Sequence, residues 1–198
     1  MTPTLEIIAV VLVFLCALIN LTRRQWLTNL IALVFQHIGV FILLLSVRQI
    51  RMAFIPLFVG LMTTLILLVT LIGSGKMQTP SFFERVSAGE VFRVIAGLVV
   101  IIFVALLIPT VRREIFPAAG SYLLLGSLGL ILLSLLQVGM IAEPLYVTIG
   151  LLSMLSGFQL LYASIETSAL LEALFAVLNL GLGLVGAFFL VKQEDIIL

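Results

Sequence analysis

The sequence predicts an all-α protein that crosses the membrane about seven times. Of its 198 residues, 63% are hydrophobic and only 10% are charged, whereas about a quarter of the residues of a soluble domain carry a charge. The apolar residues fall in runs of about twenty, the length that a helix needs to cross ~30 Å of hydrocarbon. Short polar segments separate these runs. We therefore expect one polytopic transmembrane domain over residues 1–198.

The first three spans are predicted at residues 5–21, 28–47 and 53–73. No basic segment precedes the first run and no small-residue cleavage site follows it, so we interpret it as a span rather than a cleaved signal peptide. Pro56, near the start of the third span, is tolerated there. Residues typical of a membrane interface follow the first span, namely Arg23, Arg24 and Trp26.

A polar connection, residues 73–90, separates the third span from the fourth. It carries an amphipathic fragment, which predicts either an interfacial helix or a loop on which a partner docks. The fourth span is predicted at 92–109, ending at Pro109, and the fifth at 120–140, rich in Gly and Ser.

Residues 144–191 must fold back once, because a single helix of that length would run ~70 Å. The reversal is predicted at the polar residues 164–168, which divides the segment into spans 144–164 and 168–191. Lys and Arg divide six to four between the two membrane faces, which favours a cytoplasmic C-terminus.

Glu172 is the strongest candidate for chemistry, because it lies about a turn inside the last span and an acidic residue at that depth is expensive. It can bind and release a proton there. At helical spacing it shares a face with Asn179 and with small residues on which another helix can pack closely, namely Ala176, Gly183 and Gly186. The alternative is a protonated glutamate that only hydrogen-bonds a neighbouring helix.

Other polar residues inside or beside the spans are weaker candidates for a proton or ion path. Glu166, near the hairpin tip, belongs either to the path or to the solvated turn. Asn179 and Gln159 can relay protons through water, although such amides more often join helices by hydrogen bonds. Gln36 and His37 are adjacent, so they point about 100° apart. Histidine has an unperturbed pKa near neutrality, but a lone membrane histidine is more often a packing residue.

The composition excludes several classes of function. One cysteine, Cys16, and one histidine cannot hold haem or an iron–sulfur cluster alone. We find no phosphate-binding loop, HExxH motif or nucleophile elbow. The net charge of +1, without a basic patch, argues against a nucleic-acid partner. We therefore expect no cofactor, no metal site and no catalytic centre within the chain itself.

Two runs in the last spans, G-L-L-S-M-L-S-G-F-Q-L-L-Y-A-S-I-E and L-L-E-A-L-F-A-V-L-N-L, resemble the K subunit of bacterial respiratory complex I. Its relatives include component E of hydrogenase-4 and the small C subunit of multi-subunit cation/proton antiporters. In the K subunit, an S-[IL]-E motif follows a short apolar helix, and an Asn-Leu pair follows the glutamate by seven residues. Here the motif matches Glu166, whereas the spacing to Asn179 matches Glu172, so both glutamates stay candidates.

Seven spans, with Gln36 inside the second, fit the longer hydrogenase-4 component better than the three-span K subunit. In that component a lysine is expected in the third span, where this chain has Thr63 and Thr64.

The resemblance implies a membrane accessory subunit of a complex I-like or hydrogenase-linked ion-translocating complex. Such a subunit would contribute part of a proton or cation path and pack against antiporter-like subunits in a bacterial or archaeal cytoplasmic membrane. It could thus belong to a redox-driven, proton-pumping oxidoreductase of the NADH dehydrogenase type. Two alternatives are a structural scaffold without a transport role and a small stand-alone transporter. Small-residue faces on the fifth to seventh spans also predict contacts with other subunits.

Overall fold

The computed structural model of the protein describes residues 3–47, 50–74, 87–117, 119–166 and 168–195, with the backbone alone for Arg51 and residues 193–195. Within these ranges the chain forms seven α-helices and no strand. Each helix is long and apolar enough to cross a membrane, which confirms the predicted fold class. The helices are α1 (Pro3–Thr22), α2 (Trp26–Leu44), α3 (Ile50–Gly73), α4 (Ala88–Glu114), α5 (Ser121–Met140), α6 (Pro144–Ala163) and α7 (Ala169–Asp195).

Helix α4 is longer than the predicted span at both ends. It starts at a capping box, in which the Ser87 hydroxyl accepts a hydrogen bond from the Glu90 amide at 3.3 Å and the Glu90 carboxylate accepts one from the Ser87 amide at 3.2 Å. The helix continues through Pro109, where the span is predicted to end, to Glu114. Transmembrane helices tolerate proline. The polar connection before α4, where the sequence predicts an interfacial helix or docking loop, lies mostly outside the described residues.

The last two helices are joined at the polar segment where the sequence predicts a reversal. Helix α6 ends at Ala163 and α7 begins at Ala169. After α6, the Ser164 hydroxyl donates to the Leu161 carbonyl at 2.6 Å, so the chain leaves the helix in a tight turn. Glu172 falls in the first turn of α7.

Glycines allow close packing between helices α5, α6 and α7 and the rest of the bundle. A Cβ at Gly157 of α6 would lie 2.9 Å from the Ser127 carbonyl oxygen of α5, so the two backbones almost touch. The glycines that pack in this way against another helix are Gly126, Gly129, Gly150, Gly157, Gly183 and Gly186. These small-residue faces are therefore used within the chain and supply no argument for further subunits.

Helices α4 and α7 present most of their surface to the surroundings, because only 22% of the most apolar stretch of each helix is buried inside the protein. Their outward side chains are large and apolar, for example Leu106 at 74% exposure and Leu170 at 78%. Such faces match hydrocarbon rather than water. The protein is thus a multi-pass membrane protein in contact with the lipid bilayer.

Candidate functional site

A set of buried polar side chains, which we call the polar seam, lies on helices α1, α2, α3 and α7. Each of its members is at most 4% exposed, although most of the surrounding residues are apolar. Polar groups inside a membrane are expensive and mark functional sites. The seam consists of Asn20, Asn29, Gln36, His37, Thr63, Thr64, Glu172 and Asn179.

The part of the seam between α3 and α7 is defined by a contact of Thr63 with Gly183. The Thr63 methyl group occupies the space that a side chain at position 183 would fill. Asn179 lies one turn before Gly183 on the same buried face, and Glu172 two turns before Asn179. Because both helices are odd-numbered spans, they run in the same direction. Glu172 thus lies near the membrane face at which α3 and α7 begin.

Between α2 and α3, the imidazole of His37 packs against Gly60. A Cβ at Gly60 would lie only 2.6 Å from Nδ1 and 2.7 Å from Cε1 of the ring. The hydroxyls of Thr63 and Thr64 donate to the carbonyls of Val59 (2.9 Å) and Gly60 (2.8 Å) of their own helix. Each hydroxyl proton is thereby held by the backbone, while the oxygen keeps a lone pair that can accept a hydrogen bond.

The seam continues between α1 and α2 toward the opposite membrane face. The Asn20 amide nitrogen donates to the Gln36 side-chain oxygen at 3.4 Å, with both side chains buried. Asn20 is in the last turn of α1 and Asn29 in the first turn of α2. The Asn29 amide nitrogen donates to the Arg23 carbonyl at 3.0 Å, in the connection between these helices. The seam therefore reaches from Glu172 near one face to Asn29 near the other.

Several buried polar atoms of the seam have no hydrogen-bond partner among the described residues. They are Asn20 Oδ1, Asn29 Oδ1, Gln36 Nε2, His37 Nε2 and Asn179 Oδ1. Buried polar atoms almost always form hydrogen bonds. Ordered water, which typically makes about three hydrogen bonds to buried polar partners, would supply the hydrogen bonds that these atoms lack. The seam also contains two titratable side chains, Glu172 and His37.

Gln159, also predicted for the path, is 5% exposed on α6. Helix α6 packs against α7 and α2, and its Thr148 fills the space beside Gly186 of α7. Because the two helices are antiparallel, Gln159 lies about three turns closer to their connection than this contact. Its depth in the membrane is thus between those of Glu172 and Asn179.

Glu166 lies outside the seam. It is exposed, and its Oε2 atom accepts a hydrogen bond from the Tyr162 hydroxyl at 2.5 Å. Of the two glutamates that match the K-subunit pattern, the buried one is Glu172, with 3% exposure. The geometry therefore makes Glu172 the better candidate for an intramembrane carboxylate.

Two amides of the seam, Asn20 and Asn29, were not predicted from the sequence. Both lie close to span ends, where a polar residue is unremarkable in the sequence, and only the packing of the helices reveals their burial. Arg93 of α4 was also missed. It is 8% exposed, and its guanidinium donates to the carbonyls of Leu21 (3.5 Å) and Thr22 (3.3 Å). A cation at this position complements the C-terminal end of α1.

Comparison with known proteins yields no match to a family model, to a curated protein or to a solved structure. The resemblance to the K subunit and its relatives therefore stays a prediction that depends on the two sequence runs of the last hairpin.

Proposed function

We propose that this protein is a membrane subunit of a larger ion-translocating complex and that its polar seam conducts protons. The observation that carries the proposal is the extent of the seam across the membrane. Buried polar side chains extend from Glu172 near one membrane face to Asn29 near the other, on four helices that pack side by side. A protein that only filled space between larger subunits would not need buried polar groups across the whole membrane.

In this proposal the two titratable residues exchange protons and the amides hold water. Glu172, near one membrane face, accepts a proton and passes it inward to a water held by Asn179. His37, at the contact of α2 with Gly60, accepts a proton at Nε2 and releases it toward Gln36. The amides of Gln36 and Asn20 do not titrate, but they can donate and accept hydrogen bonds at once and so orient a water chain.

The partner subunits in this proposal follow from the resemblance of the last hairpin to the K subunit and to the hydrogenase-4 component. The broad apolar faces of α4 and α7 are compatible with neighbouring membrane subunits as well as with lipid. The test is copurification from native membranes in a mild detergent. Antiporter-like subunits bound to the tagged chain support the proposal, whereas a monodisperse, stable monomer contradicts the assignment as a subunit.

The test of conduction is Glu172→Gln, which preserves shape and hydrogen bonding but removes the titration. Proton movement into membrane vesicles, measured with a pH-sensitive dye and normalised to assembled protein, should fall while assembly is retained. Glu172→Ala should impair both, because Asn179 loses its polar neighbour on the same face. The same assay with a Na⁺ gradient separates protons from Na⁺ as the conducted ion.

Glu166→Gln is the matched control, since it makes the same chemical change six residues earlier at an exposed position. It should have the smaller effect. If Glu172→Gln conducts protons like the parent, the seam is structural, and the scaffold alternative replaces the proposed path.

A further inference from the structure

His37 is the one histidine of the chain, and three adjacent atoms of its imidazole lie against Gly60. A Cβ built at Gly60 would be 2.6 Å from Nδ1, 2.7 Å from Cε1 and 2.7 Å from Cγ. Because these three distances are nearly equal, the Cβ position lies above the ring rather than beyond its Nδ1 edge, so one face of the imidazole contacts α3. Nε2 is buried and has no hydrogen-bond partner among the described residues.

We infer that Gly60 is a positioning residue, which makes room for one face of the His37 imidazole and so holds the plane of the ring that contains Nε2 within the polar seam. Any other residue at position 60 would place its Cβ closer than 3.0 Å to the ring, a separation that real side chains do not adopt. The backbone of α3 resists displacement here, because α3 is packed between α2 and α7. The imidazole, at the end of a rotatable side chain, must move instead.

This inference rests on the proposed function only for its effect on conduction. A proton binds and leaves His37 at Nε2 in that proposal, so the direction of this atom decides whether the residue takes part. The orientation of the ring itself can be measured independently of any flux.

The test uses the full chain in lipid nanodiscs, labelled with ring-¹⁵N histidine, so that the nitrogen spectrum reports on His37 alone. Gly60→Ala should change the ring nitrogen signals relative to those of the parent. Gly73→Ala is the matched control on the same helix, because a Cβ there meets no atom within 4 Å. It should leave the signals unchanged. Superimposable spectra of Gly60→Ala and the parent would overturn the inference.

Proton flux in vesicles separates this inference from the proposed function. Gly60→Ala should lower the flux by roughly ten- to a hundredfold, because displacing a reacting group by about 1 Å can cost about 10²-fold in rate, while Gly73→Ala conducts like the parent. Changed nitrogen signals with unchanged flux would uphold the positioning role of Gly60 and refute conduction through His37. Lower flux with unchanged signals would refute the positioning role.

If Gly60→Ala does not fold, the double variant His37→Ala/Gly60→Ala decides. Removal of the imidazole makes room for the new methyl group, so the double variant should fold and regain the thermal stability of His37→Ala. Failure of the double variant to recover would show that the methyl group clashes with something other than His37, and the inference would be wrong.

Discussion

Two glycines of α7, two residues apart, should respond in opposite ways to the same added methyl group. Gly183 faces Thr63 of α3, and a Cβ there would overlap the Thr63 methyl group and lie 3.7 Å from its Cα. Gly181 faces outward, and a Cβ there meets no atom within 4 Å. We expect Gly183→Ala to destabilise the fold relative to Gly181→Ala.

The magnitude follows from the surroundings of Thr63, which cannot turn away. Its side chain is fully buried, and its hydroxyl is hydrogen-bonded to the Val59 carbonyl at 2.9 Å. Helices α3 and α7 must therefore separate, which costs about 1–3 kcal/mol for an overpacked site. Both variants gain the same ~1 kcal/mol of helix propensity from Gly to Ala, so this gain cancels in the comparison. Gly183→Ala should thus unfold about 5- to 150-fold more readily than Gly181→Ala.

Reversible unfolding in mixed micelles with increasing fractions of a denaturing detergent measures this difference. Far-ultraviolet circular dichroism and intrinsic fluorescence follow the transition of both variants and of the parent. Equal midpoints for the two variants, or a higher midpoint for Gly183→Ala, would refute the close approach of α3 and α7 at Thr63 and with it the alignment of the two helices along the seam.

Three further predictions concern other parts of the fold. Arg93→Leu should lower the unfolding free energy by about 1–2 kcal/mol, because the C-terminal carbonyls of α1 lose a charged donor; thermal denaturation measures this, and an unchanged midpoint would contradict it. Gly157→Ala should destabilise the α5–α6 pair by roughly 1–3 kcal/mol, since its methyl group meets the backbone oxygen of Ser127 at 2.9 Å; a stabilised protein would refute this packing. Glu166→Cys should react with a membrane-impermeant thiol reagent from one side only, whereas Leu160→Cys, buried in α6, should not; the opposite pattern would show that the hairpin is misplaced.

Much of the fold could be predicted because the bilayer demands helices of a fixed minimum length. Hydropathy identifies such segments reliably, and it predicted seven of them. The sequence did not indicate that α4 extends past Pro109, because a transmembrane helix can continue through a proline. Helix propensity and the position of one proline do not determine where a membrane helix ends.

The candidate site could be predicted only in part. Helical periodicity identified the buried face of α7 with Glu172 and Asn179, because residues seven apart in a helix share a side. It could not identify α3 as the helix that packs there, since periodicity says which face is buried but not against which neighbour. His37 and Gln36 were recognised as polar residues inside a span, whereas the contact of His37 with Gly60 depends on the three-dimensional packing of α2 against α3.

The composition of the seam from early and late helices has a consequence for membrane insertion. Helices α1, α2 and α3 leave the ribosome before α4, α5 and α6, and α7 follows all of them. Until α7 arrives, Thr63 and the neighbouring polar side chains lack the helix that packs over them. An unfinished chain therefore exposes polar side chains that are buried in the complete protein. These side chains would attract water, insertion factors or quality-control proteases. The polar side chains between α3 and α7 become buried only when the seventh helix docks beside the third.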